Sequence, residues 1–235
     1  VAYTWEELGA LSLARQFPSV AGRDAAAVAQ VLDLVGPIQS QTARSPFLAL
    51  ASRLPGVTLE TVSAAYDDLL VVRGSNIRGT VHTSTPADHP LLEVATRTGQ
   101  RALWARTLRP TATTLEDVWR GIEEFARDHW RTTDELDEHL RTWLAAHDPG
   151  AGHNLDSQGG RYFAFGHGGL LRKPLRGGWQ GQGTPGYRSA AALLGPRDHV
   201  LGDPDVATDA LVERHLRCLG PSSRHDIAWW AGLGL

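Results

Sequence analysis

Twice along the 235 residues a set of helix signals gives way to two short apolar segments joined by a turn, and near the C-terminus the helix signals begin a third time. That order limits the fold strongly, because each set of short helices and its hairpin must bury their apolar faces against one another. Thr4-Trp5-Glu6-Glu7 forms a capping box that opens a helix to about Gln16. A second helix runs from about Arg23 to Leu34 and stops at Gly36-Pro37. A third is expected from about Gln39 to Leu54, although Pro46 can start a new helical segment and leave Gln39 to Ser45 as a separate turn. Thr58 caps a helix through Leu70. Val71 to His82 then reads as a hairpin about Gly74-Ser75-Asn76.

The second set opens at Thr114 and Asp117 with a helix to about His129, and Thr132 or Thr133 opens another through Ala146. Ser157 to Leu171 is a candidate third helix despite its glycines. A hairpin follows, from Arg172 to Leu175, a loop from Arg176 to Gly186, and Tyr187 to Leu194. The last set has a helix from about Asp205 to Leu219, a break at Gly220-Pro221, and a helix capped by Ser222 that carries Ile227, Trp229 and Trp230. Between the first two sets, Thr85 as cap and Pro86 in the first turn predict a long connecting helix over 86–110. Helices followed by a hairpin is the order of a winged helix, a helix-turn-helix with a β ribbon attached. The expected class is therefore α+β, mainly helical, with tandem winged helix-turn-helix units and small β-hairpin wings. Residues 1–110 form the first unit and connecting helix, 111–200 the second, and 201–235 the incomplete start of a third.

Composition adds limits on function. At 42% hydrophobic and 21% charged the chain reads as an ordinary soluble globular protein. It has no apolar run near the ~20 residues that a membrane span needs. The lone Cys218 cannot close an internal disulfide, which favours a reducing cytoplasm. Met is absent even at position 1, so the sequence is expected to be a fragment of a longer reading frame or a processed form. The net charge of −3 argues mildly against a nucleic-acid partner, but its distribution argues the other way. Between Asp156 and Asp198 no acid interrupts Arg161, Arg172, Lys173, Arg176, Arg188 and Arg197. Between Asp68 and Asp88 there are only Arg73 and Arg78, and between Glu93 and Glu116 only four arginines. Nearly all the basic residues are arginine, whose forked guanidinium suits phosphate.

Several familiar strings fail on context. Gly181-x-Gly183-x-x-Gly186 has the letters of a dinucleotide loop but no preceding buried strand or following helix. Gly166-His167-Gly168-Gly169 lacks the Gly-x-Ser-x-Gly that would make it an oxyanion loop. No metal-ligand spacing is present, and neither a metal nor a cofactor is expected. The tryptophans are expected mostly in the core. Trp179, in the Gly-rich loop, either packs the wing against its own domain, the preferred reading, or stacks against bases.

The most informative segment is Gly36-Pro37-Ile38-Gln39-Ser40-Gln41-Thr42-Ala43-Arg44-Ser45-Pro46. In an extended backbone the amides of Gln39 and Gln41 face one way, whereas in a helix they diverge by roughly 200°. Either amide can instead cap backbone groups in a turn. Read together with Arg53-Leu54-Pro55-Gly56, Arg78-Gly79-Thr80-Val81-His82 and Gly220-Pro221-Ser222-Ser223-Arg224-His225-Asp226-Ile227-Ala228-Trp229-Trp230-Ala231-Gly232-Leu233, this segment resembles the AlkZ-type winged-helix DNA glycosylases. The resemblance runs from Leu13 to the end.

The resemblance implies three tandem winged helices around a concave, positive DNA cleft, with catalytic Gln39 and Gln41 inside it. Other members carry Asp at the second of these positions and a more apolar residue where Ser40 stands. It implies hydrolysis of the N-glycosidic bond of cationic alkylated purines, with crosslink unhooking in some members, by a monomer acting on double-stranded DNA in the cytoplasm at the nucleoid. Arg44, Arg53 and Arg78 are candidate phosphate contacts near the pair, with Arg172, Lys173 and Arg176 on the second wing. His82 orients a phosphate or Gln41, or is a hydrogen-bonded core histidine. Two other readings stay open: a non-catalytic winged-helix regulator, in which both glutamines are dispensable, and a protein-interaction scaffold without salt-dependent DNA binding.

Overall fold

A computed structural model of the chain describes residues 2–157, 159–196 and 202–234. Arg197, the side chain of Arg161 and the expected boundary at 200 lie outside the described residues. The local signals at the N-terminus fold as their chemistry dictates. Helix α1 spans Trp5–Gln16 behind the Thr4/Glu7 capping box, and α2 spans Ala25–Val35 behind Asp24. Strand β1 is Ile38–Gln39, α3 is Ser45–Arg53 with a proline in its first turn, and α4 is Leu59–Asp67 capped by Thr58. No continuous helix runs from Gln39 to Leu54, because Pro46 starts α3 afresh and the preceding segment pairs with a strand. Helices α2, α3 and α4 close a core around Val28, Val31, Leu32, Leu50, Leu54, Val62 and Tyr66.

Strands β2, Val72–Asn76, and β3, Thr80–Ser84, form the first hairpin. Its turn is Ile77–Gly79, later than expected, with Arg78 at φ 58° and Gly79 at φ 68°. Gly74 serves packing instead of turning. A Cβ there would lie 2.7 Å from His89 Cε1 and 3.2 Å from the Leu170 carbonyl oxygen, so only glycine lets the neighbouring strand approach.

Helix α5, His89–Leu108, begins after Asp88 with Pro90 in its first turn, three residues beyond Pro86. Helices α6, Leu115–Phe125, and α7, Thr133–His147, each start at a capping box. Together with α5 they enclose Leu108, Trp119, Ile122, Leu136, Leu140 and Phe163. The helix expected over Ser157 to Leu171 does not form. Only a 3-10 turn, Gly160–Tyr162, is present, and a Cβ on Gly168 would meet Glu93 Cα at 2.7 Å. The glycines there admit backbone against helix, a contact no helical run could make. Strand β4 is Leu170–Pro174 and β5 is Pro185–Ser189. The chain from Ala190 to Leu194 is the short helix α8, capped by Ser189, and not a continuation of the strand.

The two hairpins join in one antiparallel sheet of order β1-β3-β2-β4-β5, with Gly74 opposite Leu171 at the seam. The hairpin of the second set is therefore laid directly beside the first. Helices α9, Pro204–Leu219, and α10, Arg224–Ala231, follow. Arg214 on α9 makes a two-pronged ion pair with Asp88, at 2.6 and 2.8 Å, and Gln16 donates to the Val35 and Cys218 carbonyls at 3.1 and 3.0 Å. These contacts seat the last helices on the first set. Trp5 and Trp229 are 89% and 74% exposed, so two of the tryptophans expected in the core are on the surface.

Candidate functional site

β1 pairs antiparallel with β3, Ile38 opposite Thr83 and Gln39 opposite His82. The extended path continues one residue further, where the Ser40 N–H donates to the Val81 carbonyl at 2.7 Å. Side chains along it alternate: Gln39 is exposed, Ser40 is 3% exposed and Gln41 is exposed. Of the two backbone geometries compatible with the sequence, the extended one is present from Ile38 to Ser40, and the side chains of Gln39 and of Gln41, in the bend that follows, are both exposed.

The two amides are held differently. The Val81 N–H donates to Gln41 Oε1 at 3.1 Å. Because the donor is a backbone N–H, the atom facing it is the carboxamide oxygen, and the Gln41 NH2 group is directed elsewhere. The Gln39 side chain has no hydrogen-bond partner among the described residues.

Beneath the pair lies a buried polar chain. Ser40 Oγ meets Thr83 Oγ1 at 2.6 Å, and Thr83 Oγ1 meets the Tyr66 hydroxyl at 2.5 Å. Tyr66 in turn accepts from Arg73 Nη2 at 3.2 Å. Arg73 also donates from Nη1 to the Trp179 carbonyl at 3.1 Å, and its guanidinium lies 4.9 Å over the Tyr66 ring. Burial raises the Tyr66 pKa, so the phenol stays neutral and can donate onward. Ser40, which departs from the apolar residue implied by the resemblance, is thus satisfied by Thr83.

A cleft opens on this face of the sheet, lined by Gln41, Arg73, Arg172, Lys173 and Gln182 among others, with no carboxylate in its lining. The structure therefore brings Gln41, Arg172 and Lys173 together from segments some 130 residues apart in sequence, through the β2–β4 seam. Arg44, at the N-cap of α3, and Arg176, in the β4–β5 loop, are exposed and without an ion-pair partner among the described residues; neither lines the cleft, but Arg44 follows Ala43 and Arg176 packs on Gly183, which do.

The remaining expected residues have other surroundings. His82 is 3% exposed with Nδ1 3.1 Å from the Thr80 carbonyl, and burial pulls its pKa down to about 4. It is a neutral core imidazole with no charge to offer a phosphate. Arg53 is half-buried away from the cleft, donating to Gln16 Oε1 at 3.1 Å and to the Ala49 carbonyl at 3.0 Å. Arg78 is exposed on the first hairpin turn, 4.7 Å over the Trp229 ring. Trp179 stacks on Tyr66 at 4.3 Å and 13°, with its indole N–H donated to Asp67 Oδ1 at 2.9 Å. It packs against the first helical set, not its own, and is partly buried there. The residue that sequence reading undervalued is Arg73, counted there only as charge. The signal available was its position inside an apolar strand, between Val72 and Gly74.

A family model described as DNA glycosylase AlkZ-like matches residues 32–234. The chain belongs to the AlkZ-like DNA glycosylase family. The matched stretch contains β1, the buried chain beneath it and every residue of the cleft lining. Among solved structures, Streptomyces sahachiroi DNA glycosylase AlkZ superposes with a TM-score of 0.71 at 19% identity, over 99% of this chain and 65% of that one. At that identity the match speaks to the shared fold, and this AlkZ-like chain spans about two thirds of its neighbour's length. No curated protein matches the chain. Among the described residues of this AlkZ-like protein no helix is long and apolar enough to cross a membrane.

Proposed function

We propose that this AlkZ-like protein binds duplex DNA across its sheet face and hydrolyses the N-glycosidic bond of cationic alkylated purines, with Gln39 and Gln41 as catalytic residues. The helical sets and hairpins correspond to tandem winged helices over 1–110 and 111–200, with a third beginning at 201–235. Arg172 and Lys173 in the cleft, with Arg44 and Arg176 beyond it, take the DNA backbone. Crosslinked purines carry the same ring cation and fall within the same chemistry. The observation that carries this reading is the exposed pair Gln39 and Gln41, of which Gln41 lines a cleft whose charged residues are all cations.

An N7-alkylated purine leaves as a neutral base, because the electron pair of the glycosidic bond cancels the ring's positive charge. Departure is thus easy, and a strong base is unnecessary. Gln39, unengaged, orients a water toward C1′ through its carboxamide oxygen, while Gln41, held by Val81, supplies N–H donors that fix the water or a sugar oxygen. The water's oxygen bonds to C1′, its proton passes to solvent, and an abasic sugar and free base result. The gain comes from positioning and from an oxygen dipole near the developing positive sugar. Glutamine has no useful pKa, so general-base chemistry contributes nothing.

The test is release of 7-methylguanine from alkylated duplex DNA by the purified protein and by a Gln39→Ala, Gln41→Ala double variant. Release by the native protein and its loss in the variant is expected. Tight DNA binding without release by either would assign the fold to a non-catalytic binder.

A further inference from the structure

Arg73 is 6% exposed, yet no carboxylate pairs with it among the described residues. Its partners are all neutral: the Trp179 carbonyl at 3.1 Å, the Tyr66 hydroxyl at 3.2 Å and the Ala43 carbonyl at 3.5 Å. These three acceptors serve three of five guanidinium N–H groups, and Nε is buried with no acceptor at all. Asp67, the acid on the neighbouring helix end, already accepts from the Trp179 indole. Tyr66 and Trp179 lie 4.9 and 5.5 Å from the guanidinium carbon, and ring faces soften a cation's burial without neutralising it. A buried, uncompensated charge is costly, and it persists where a ligand supplies the missing counter-ion.

The same side chain lines the cleft beside Gln41, Arg172 and Lys173. Resting on the reading of this face as a DNA cleft, we infer that Arg73 is the floor of a phosphate-binding site that takes one phosphodiester of the strand entering the cleft. Arg172 and Lys173 also line the cleft, with their charged groups over the Tyr187 and Trp130 rings at 5.9 and 4.4 Å. The site also resolves an electrostatic conflict. An unneutralised guanidinium beside Gln41 repels a cationic purine, so the phosphate must be in place before the damaged base can settle. Arg73 further ties the Gln41 loop, through Ala43, to the β4–β5 loop, through Trp179, so that phosphate binding and the placement of Gln41 share one side chain.

Duplex affinity measured over a salt series tests this with Arg73→Gln and Arg73→Lys. One phosphate contact contributes about 0.9 to the slope of log affinity against log salt. The Gln variant should lose about that much slope, and the Lys variant should keep it. In the native protein, the Arg73 Nε–H resonance, assigned by its absence in Arg73→Lys, should shift on adding duplex DNA, and this readout stands if the Gln variant fails to fold. A native slope in folded Arg73→Gln, or an Nε–H signal unmoved by bound DNA, overturns the assignment while leaving the glycosylase reading intact. Salt-independent binding by the native protein would instead remove the DNA cleft itself.

Discussion

The Val81 N–H donates to the side-chain oxygen of Gln41 at 3.1 Å, at a position where an antiparallel partner strand would normally offer a backbone carbonyl. One amide of the pair is thereby built into the sheet while the other is free. Gln41→Ala leaves the Val81 N–H to water and should lower stability by about 1 kcal/mol. Gln39→Ala removes an exposed, unpartnered side chain and should change it by less than about 0.5 kcal/mol. Urea unfolding distinguishes the two, while both variants should lose base release.

The chain from Ser40 through Thr83 and Tyr66 to Arg73 is buried, so its links are costly to break. Tyr66→Phe removes the hydroxyl that Thr83 and Arg73 both reach and should cost roughly 1–3 kcal/mol. It should also lower base release, because the strand carrying the glutamines rests on that hydroxyl. A thermal-melt series paired with the release assay checks both effects, and unchanged release at reduced melting temperature would separate the network from the site.

The buried pair of Asp88 and Arg214 attaches α9 to the start of α5. Asp88→Ala leaves the buried Arg214 guanidinium with only the exposed Asp33 at 3.9 Å as a counter-charge and should destabilise by about 3 kcal/mol. Cys218, 2% exposed and in contact with Arg214, should then react with a thiol reagent much faster than in the native protein. A native labelling rate would show that α9 is held by other contacts.

His82 makes stability depend on acid. Burial lowers its pKa from 6.5 to about 4, so the unfolded chain takes up a proton more readily than the folded one. Its contribution is complete above pH 6.5 and is lost as pH falls from 6.5 to about 4. His167 is shifted the same way by burial and adds to the trend. For His82 alone the loss is on the order of 3 kcal/mol. Urea unfolding between pH 7.5 and pH 4.5 should show a fall that is shallower in His82→Asn.

What could be read from sequence alone follows the range of the interactions. The starts of α1, α4, α6 and α7 were legible because a cap is decided within three residues, as at Thr4 with Glu7 and Thr132 with Glu135. The orientation of Gln39 and Gln41 was not, since it depends on pairing with His82 and Val81 some 40 residues away. Gly74 looked like a turn residue, yet it serves an approach by Leu170 from another hairpin. Gly160, Gly166, Gly168 and Gly169 likewise looked like weak helix positions and are contact points. Trp179 could be placed on its own wing or on DNA, but its partner, Tyr66, lies in a different helical set. The cleft was legible only as charge, because the β2–β4 seam that assembles it leaves no local signal.

Two carboxamides without a titrating group can assist a leaving base that is already cationic and should do little for a neutral one. The most direct measurement is single-turnover release of 7-methylguanine and of uracil from otherwise identical duplexes by the purified protein. Release of 7-methylguanine should disappear in the Gln39→Ala, Gln41→Ala variant, and uracil release should be no faster than without protein. Uracil excised at a comparable rate, or 7-methylguanine release that survives loss of both amides, would contradict this mechanism.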